Sequence, residues 1–126
     1  MKSEQLMVRE FHKEFGLLIN NNPTIIPDSV VQLRERLIKE ELDELVIAAL
    51  SEPNLVDIAD ALADLLYVVL GTAVSFGIDI EPVFAEVHRS NMTKKGGHLR
   101  SDGKWIKPDT YSPADLISII ESQKGK

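Results

Sequence analysis

The chain has 126 residues, of which 44% are hydrophobic and only 6% aromatic, so it is long enough for one compact domain with a mainly aliphatic core. It contains no cysteine, which excludes disulfides, zinc–thiolate sites and cysteine nucleophiles. The N-terminal residues lack an apolar stretch after their charges, and the apolar run at 65–76 is too short to cross a bilayer. With a net charge of −6, we expect a cytoplasmic protein without a membrane or nucleic-acid partner.

Apolar residues recur at helical spacing through most of the chain and predict an all-α fold with four main helices. The first begins near Ser3 and continues until the asparagines at 20–22. The second is capped by Asp28 or Ser29 and runs to about Leu50. The third ends before Gly77, a natural residue just beyond a helix end.

The C-terminal third of the chain follows a different pattern. A fourth helix starts at 79–82, and two glycines break it after Lys94. The Asp-Gly pair within 101–104 predicts a short hairpin turn. Ser112 and Pro113 predict the start of a last helix, as cap and first helical residue. We therefore expect residues 1–126 to form a single all-α domain with a hairpin and an extra docked helix.

Two consecutive helices carry acidic faces with no basic face between them. On the second helix, Glu44 lies four residues after Glu40 and three after Glu41, so its side chain neighbours both. On the third helix, Asp60 likewise neighbours Asp57 and Asp64. Like charges at this spacing destabilise a helix unless a cation neutralises them. The pattern predicts a bound metal, and ligands made only of carboxylates favour Mg²⁺ or Mn²⁺ over zinc.

Three sequence blocks resemble the all-α nucleoside triphosphate pyrophosphohydrolases, which include MazG-like and phosphoribosyl-ATP pyrophosphohydrolase-like proteins. The blocks are R-x-x-L-I-x-E-E-x-x-E-L at 34–45, D-A-L-A-D-L-L-Y-V-V-L-G-T-A at 60–73 and E-V-H-R-S-N-M-T-K at 86–94. The resemblance covers about residues 30–115. It implies hydrolysis of a nucleotide to a monophosphate and pyrophosphate, with Mg²⁺ held by four carboxylates from two antiparallel helices.

The resemblance also implies roles for individual residues. Glu41, Glu44 and Asp64 match metal ligands of the family, and Glu40 matches the residue that orients or activates the attacking water. The family's remaining ligand is a glutamate three residues before the aspartate, and this chain has Ala61 there. Asp60 is one helical turn from Asp64 and is the expected replacement, with Asp57 in reserve.

Six of the seven charged residues from Arg89 to Lys107 are basic, and such a segment suits the phosphates of a nucleotide. Asn91 and Lys94 match residues that contact nucleotide in relatives. Arg100 and Lys104 lie on the predicted hairpin, which we interpret as a flap over the nucleotide with its hinge at Gly96 and Gly97. His12 is expected to be a surface or packing residue without a chemical role. Tyr67 could pack against a base, but an aromatic residue inside an apolar helix is more often part of the core, so we assign it no role.

These observations favour a Mg²⁺-dependent nucleoside triphosphate pyrophosphohydrolase that removes noncanonical or excess nucleotides. One alternative is a helical module that binds a metal–nucleotide without turnover, which the departure at Ala61 keeps open. Two further alternatives are a phosphoribosyl-ATP pyrophosphohydrolase and a self-associating structural protein. Because the third helix is apolar on more than one side, we also expect a homodimer or a dimer of dimers.

Overall fold

The computed structural model describes residues 3–125 and contains five helices and one two-stranded antiparallel sheet. The all-α prediction with a short hairpin is confirmed. The helices are α1 (Ser3–Phe15), α2 (Asp28–Leu50), α3 (Leu55–Phe76), α4 (Ile80–Met92) and α5 (Leu116–Lys124). The strands are β1 (His98–Leu99) and β2 (Trp105–Ile106), paired with His98 opposite Ile106 and Leu99 opposite Trp105.

The described residues form two compact units, which divide between Ile78 and Asp79. In the first unit, α3 packs against both α2 and α1. Its core is small and includes Val8, Ile26, Ala61, Ala73 and Val74. The second unit contains α4, the hairpin and α5.

The loop between α1 and α2 is held by hydrogen bonds to the C-terminal end of α3. The Asn20 amide donates to the Ser75 carbonyl over 2.7 Å, and the Ser75 hydroxyl donates to the Leu18 carbonyl over 3.0 Å. Gly77 has a φ of 73° and lies so close to the Asn22 carbonyl that a β-carbon there would be 2.2 Å from its oxygen. Gly77 therefore ends α3 as predicted and also permits this close approach.

Three helix boundaries differ from the predictions. Helix α1 ends at Phe15, before the asparagines, because Gly16 adopts a φ of 69° that turns the chain out of the helix. Helix α2 has Pro27 at its N-cap and no side-chain cap, so neither Asp28 nor Ser29 caps it. Helix α5 begins at Leu116, where Asp115 accepts a hydrogen bond from the Ser118 backbone, so Ser112 is not its cap.

In the second unit, polar contacts hold α5 and its preceding loop to α4. Glu86 accepts hydrogen bonds from Arg89 and from the Asp115 backbone, and these lower the pKa of Glu86 to about 2. Arg89 also donates to the Pro113 carbonyl. The side chain of Gln123 pairs with both backbone groups of Asp79, at 2.9 and 3.0 Å.

Helix α3 is apolar well beyond the run at 65–76. Among the described residues, it is the one helix that is long and apolar enough to cross a bilayer. Core helices of soluble proteins meet the same criterion of length and composition. Only 28% of the apolar window of α3 is buried. Leu62, Leu66 and Val69 lie four and three residues apart on one face, and each is exposed. Residues 3–125 therefore leave this face of α3 uncovered.

A glycine in α3 makes room for two buried polar side chains of the first unit. A β-carbon at Gly71 would lie 2.4 Å from Arg34 Nη2 and 2.9 Å from His12 Nε2. Both side chains are almost fully buried, at 4% and 2% exposure, so they have little freedom to move away. Gly71 thus fixes how closely Arg34 and His12 approach the helix.

We expect Gly71→Ala to lower the free energy of unfolding by about 1–3 kcal/mol, because overpacking at a buried site displaces its neighbours. Urea denaturation followed by circular dichroism measures this. Gly125→Ala is the matched control, since no atom lies within 4 Å of a β-carbon there. Equal stability of the two variants would contradict the close packing at Gly71.

Candidate metal centre

Three carboxylates from α2 and α3 converge in the first unit. One carboxylate oxygen from each of Glu41, Glu44 and Asp64 lies within 4.8 Å of the others. Glu41 and Glu44 are neighbours because they are three residues apart on α2. Asp64 joins them because α3 packs alongside α2. The structure therefore brings together three acids from the two helix faces that the sequence predicted to be paired.

The electrostatics of this carboxylate cluster are unfavourable without a cation. Burial raises the pKa of Glu41, and the charges of Glu44, Asp64 and Glu40 raise it further. Glu41 Oε2 is a buried oxygen with no hydrogen-bond partner. An ionised carboxylate needs donors or a cation to offset its lost hydration.

The donor set fits a hard divalent cation. Three carboxylates offer only oxygen ligands, which Mg²⁺ and Mn²⁺ prefer, and they supply excess negative charge at one point. A cation bound by Glu41, Glu44 and Asp64 would also satisfy the unpartnered oxygen of Glu41. These three residues are accordingly the ones that could hold the ion.

The other acidic candidates are placed differently. Glu40 is exposed on α2, next to Glu41 in sequence. Asp60 and Asp57 are exposed on α3, and neither belongs to the group within 4.8 Å. Ala61 is buried at 5% exposure. Among the described residues, the cluster thus has three acidic members, and Asp60 as a fourth ligand stays a prediction.

A cavity of about 420 Å³ adjoins two of the carboxylates. All three helices of the first unit contribute to its walls, which are largely apolar with a few polar groups. The lining residues include Phe11, His12, Arg34, Glu41, Asp64 and Tyr67. Apolar walls with a small number of polar groups are typical of small-molecule sites.

Two buried basic side chains contribute to this cavity. Arg34 donates from Nε to the Thr72 hydroxyl over 3.1 Å and from Nη2 to the Val68 carbonyl over 2.9 Å. His12 Nδ1 lies 3.0 Å from the Leu18 carbonyl oxygen. Since a carbonyl only accepts, Nδ1 carries the proton and Nε2 of the neutral ring is an acceptor. Burial lowers the pKa of His12, as does the Arg34 charge, while the Leu18 bond opposes the shift.

Most of this cavity was not predicted from the sequence. His12 and Tyr67, to which the sequence assigned no chemical role, both line the space beside the carboxylates. Tyr67 is 39% exposed and meets Phe11 edge-on at 5.6 Å between ring centroids. Arg34 had a usable signal, because it precedes Glu41 by seven residues and so lies on the same face of α2. His12 and Phe11 had none, since their position depends on how α1 packs.

The predicted substrate residues all lie in the second unit. Asn91 is exposed near the end of α4, Lys94 is half-buried just after it, and Arg100 and Lys104 flank the hairpin turn. Arg100 binds both carboxylate oxygens of Asp102, so its guanidinium already has a partner. Lys94 and Lys104 form no ion pair with any other residue in 3–125.

Comparison with known proteins identifies the class to which this fold and carboxylate cluster belong. Residues 8–91 match the model of the phosphoribosyl-ATP pyrophosphohydrolase family. This match runs from within α1 to one residue before the end of α4 and contains all three carboxylates of the cluster. The chain belongs to this family, which is part of the all-α nucleoside triphosphate pyrophosphohydrolase superfamily and whose members are pyrophosphohydrolases.

One curated relative is an uncharacterised protein of Acanthamoeba polyphaga mimivirus. It is 41% identical over an alignment of 142 positions that includes 94% of this chain and 54% of the viral protein. The chain thus spans about half the length of that relative. The alignment extends the similarity beyond the four helices of the family match into the C-terminal part of the chain.

Removing one charge from the cluster tests whether it binds a metal. We expect Mg²⁺ to raise the melting temperature of the wild-type protein and to have little effect on Glu41→Gln, because the substitution removes a ligand. Without metal, Glu41→Gln is expected to melt at or above the wild-type temperature, since like-charge repulsion is relieved. Scanning fluorimetry with and without Mg²⁺ measures both effects.

Asp43→Asn is the matched control for this test, because Asp43 is exposed on the same helix and lies outside the cluster. It removes the same charge and should keep the wild-type response to Mg²⁺. A full response to Mg²⁺ in Glu41→Gln would place the metal elsewhere.

Proposed function

We propose that the protein is a Mg²⁺-dependent nucleoside triphosphate pyrophosphohydrolase that releases pyrophosphate and a nucleoside monophosphate. The observation that carries this proposal is the convergence of Glu41, Glu44 and Asp64 beside a cavity of about 420 Å³. Membership in a family of pyrophosphohydrolases supports the reaction type. Removal of noncanonical or excess nucleotides in the cytoplasm is the role we infer for this activity.

The reaction needs an attacking water and a stabilised leaving group. Water attacks the α-phosphorus, the bond to the bridging oxygen of the β-phosphate breaks, and pyrophosphate leaves. When bound to Glu41, Glu44 and Asp64, Mg²⁺ would neutralise triphosphate charge and polarise a phosphoryl oxygen. We assign Glu40 to orient the water and accept its proton, because this carboxylate is exposed beside the metal ligands in sequence.

We propose that basic and polar side chains within 91–104 contact the nucleotide. Lys94 and Lys104 have ammonium groups without an ion-pair partner within 3–125, which suits charge-assisted contacts with phosphate oxygens. Asn91 is assigned to the nucleotide as well. Arg100 is assigned a weaker contribution, because binding phosphate would disrupt its pair with Asp102.

A phosphoribosyl-ATP substrate is the second candidate, favoured by the name of the matching family. Both candidates break the same type of bond and release pyrophosphate. Phosphoribosyl-ATP differs from ATP by a phosphoribosyl group on the adenine ring, so a panel of substrates separates the two candidate activities. Binding without turnover is the third possibility, and the same panel tests it.

We expect the purified protein with Mg²⁺ to release pyrophosphate, not orthophosphate, from at least one compound in a panel of triphosphates that includes phosphoribosyl-ATP. Glu41→Gln, Glu44→Gln and Asp64→Asn should each lose most activity while retaining wild-type helix content, because a metal contributes several kcal/mol to stabilising the transition state. Coupled pyrophosphate detection measures the rates, and Asp43→Asn is the control.

Two results would contradict this proposal in different ways. Orthophosphate as the first product from every substrate would reject pyrophosphohydrolysis. Wild-type rates in all three ligand variants would leave the chemistry possible but reject the assigned centre.

We also propose that the protein is a homodimer or a dimer of dimers that uses the exposed face of α3. Large apolar patches on a soluble protein mark association surfaces, and a two-fold dimer buries the same patch on both copies. The exposed face of α3, formed by Leu62, Leu66 and Val69, is one such patch. Exposed apolar side chains on α2 extend the apolar surface of this unit: Leu42, Val46, Ile47 and Leu50.

Light scattering at micromolar concentration should give a mass of at least about 28 kDa, twice the 14.1 kDa of one chain. Leu66→Glu should shift the mass toward that of the monomer, because it places a charge in the patch that the dimer would bury. Leu99→Glu is the control, as Leu99 is 65% exposed on the hairpin. A monomeric wild-type protein would rule out this assembly.

A further inference from the structure

Helix α2 has one buried residue, and that residue is an arginine. Among the 23 residues of α2, all within the described part of the chain, Arg34 alone is buried, at 4% exposure. Its guanidinium forms no ion pair with any other residue in 3–125. A buried cation without an anionic partner is costly, so hydrogen bonds must offset its lost hydration.

Arg34 is hydrogen-bonded to α3 through two of its nitrogens. Nε donates to the Thr72 hydroxyl over 3.1 Å, and Nη2 donates to the Val68 carbonyl over 2.9 Å. The Thr72 hydroxyl donates to the same carbonyl over 2.9 Å. A β-carbon at Gly71 would collide with Nη2, so the guanidinium lies directly against the backbone of α3. Because the guanidinium is planar and its donors are fixed, these bonds define one position of α2 against α3.

The contact between Arg34 and α3 lies two helical turns from the carboxylate cluster. Glu41 follows Arg34 by seven residues along α2, and Asp64 precedes Gly71 by seven residues along α3. At the rise of an α-helix, both intervals are about 10 Å long. The contact of Arg34 with Gly71 and the approach of Glu41 to Asp64 therefore belong to one antiparallel register of the two helices.

Between these two levels, a cavity takes the place of close packing. The cavity of about 420 Å³ is lined on α2 by Arg34, Leu37 and Glu41, and on α3 by residues that include Asp64 and Val68. Interdigitated side chains normally set how two helices lie against each other. Along this stretch, the hydrogen bonds of Arg34 provide the directional contact instead.

We propose that Arg34 is a positioning residue that holds α2 and α3 in the register at which Glu41 and Glu44 meet Asp64. This inference rests on the metal centre of the proposed function. Arg34 does not act through its charge, which would repel the same cation. It acts through hydrogen bonds that a shift of α2 along α3 would break. Because a divalent cation needs its carboxylate oxygens at defined distances, a small shift in register weakens its binding.

Arg34→Met removes the hydrogen bonds and the charge and keeps an unbranched side chain. We expect its dissociation constant for Mn²⁺ to rise about tenfold or more, the range for losing a residue that orients a metal site. Electron paramagnetic resonance of free Mn²⁺ measures this constant without turnover. Loss of a positive charge would by itself strengthen Mn²⁺ binding, so weaker binding reports position. Unchanged or tighter binding by the folded variant, which a role in stability alone predicts, would overturn the proposal.

Arg36→Met is the matched control, because Arg36 is exposed on the same helix and carries the same charge. It should bind Mn²⁺ at least as tightly as the wild-type protein. Arg34→Lys should bind Mn²⁺ more tightly than Arg34→Met, since an ammonium group still donates hydrogen bonds.

Thr72→Val provides a second variant that keeps the wild-type charge. It removes the hydroxyl that accepts from Arg34 Nε. We expect it to weaken Mn²⁺ binding by about threefold to tenfold, the range for one lost hydrogen bond. Where Arg34→Met does not fold, wild-type affinity in Thr72→Val would overturn the proposal.

Nitroxide labels measure the register of the two helices without metal, because the chain has no cysteine of its own. Labels on Asp43→Cys and Asp57→Cys occupy exposed positions of α2 and α3. Double electron–electron resonance, with labelled protein diluted in unlabelled protein, should show a shifted or broader distance distribution in Arg34→Met and the wild-type distribution in Arg36→Met. An unchanged distribution in Arg34→Met would contradict the role of Arg34. If the distribution shifts but no substrate yields pyrophosphate, the proposed activity fails while the role of Arg34 stands.

Discussion

The constraint that shapes the proposed site is the convergence of three like charges, those of Glu41, Glu44 and Asp64. These carboxylates meet because α3 packs against α2, and packing leaves one oxygen of Glu41 buried without a donor. Three carboxylates at one point form a strongly negative site, which a bound cation would neutralise. A divalent cation would do so and would also provide the charge that the proposed hydrolysis of a triphosphate requires.

The remainder of the first unit supports this cluster. Arg34 and His12 are buried polar groups whose bonds to Val68, Thr72 and Leu18 tie α2 and α1 to their neighbours. Gly71 permits their close approach to α3, and the resulting cavity opens beside Glu41 and Asp64. One set of contacts therefore both positions the carboxylates and shapes the adjoining space. The exposed apolar faces of α2 and α3 are the surfaces on which we propose that a second copy packs.

The fold and the two acidic helix faces were predictable because both follow from local periodicity. Helical spacing placed Glu41 beside Glu44, whereas the family resemblance, and not the spacing, selected Asp64 from the three acids of the next helix. Cap positions were less predictable: Ser112 and Asp115 both suit a cap, and the hydrogen bond between Glu86 and the Asp115 backbone favours the later start. The cavity was missed because Phe11 and His12 reach it only through packing of α1, which no spacing rule reveals. Gly97, interpreted from the sequence as a hinge, likewise owes its place to the hairpin's register, because a β-carbon there would collide with the Ile106 carbonyl.

Anomalous diffraction from crystals grown with Mn²⁺ would test the carboxylate cluster most directly. A manganese peak should appear within coordinating distance of Glu41, Glu44 and Asp64, at about 2.0–2.4 Å from their oxygens, as expected for hard cations with oxygen ligands. The same peak should be absent from crystals of Asp64→Asn grown in the same way. A cluster without manganese at saturating concentration, or a peak coordinated only by other residues, would contradict the metal centre on which the proposed hydrolysis depends.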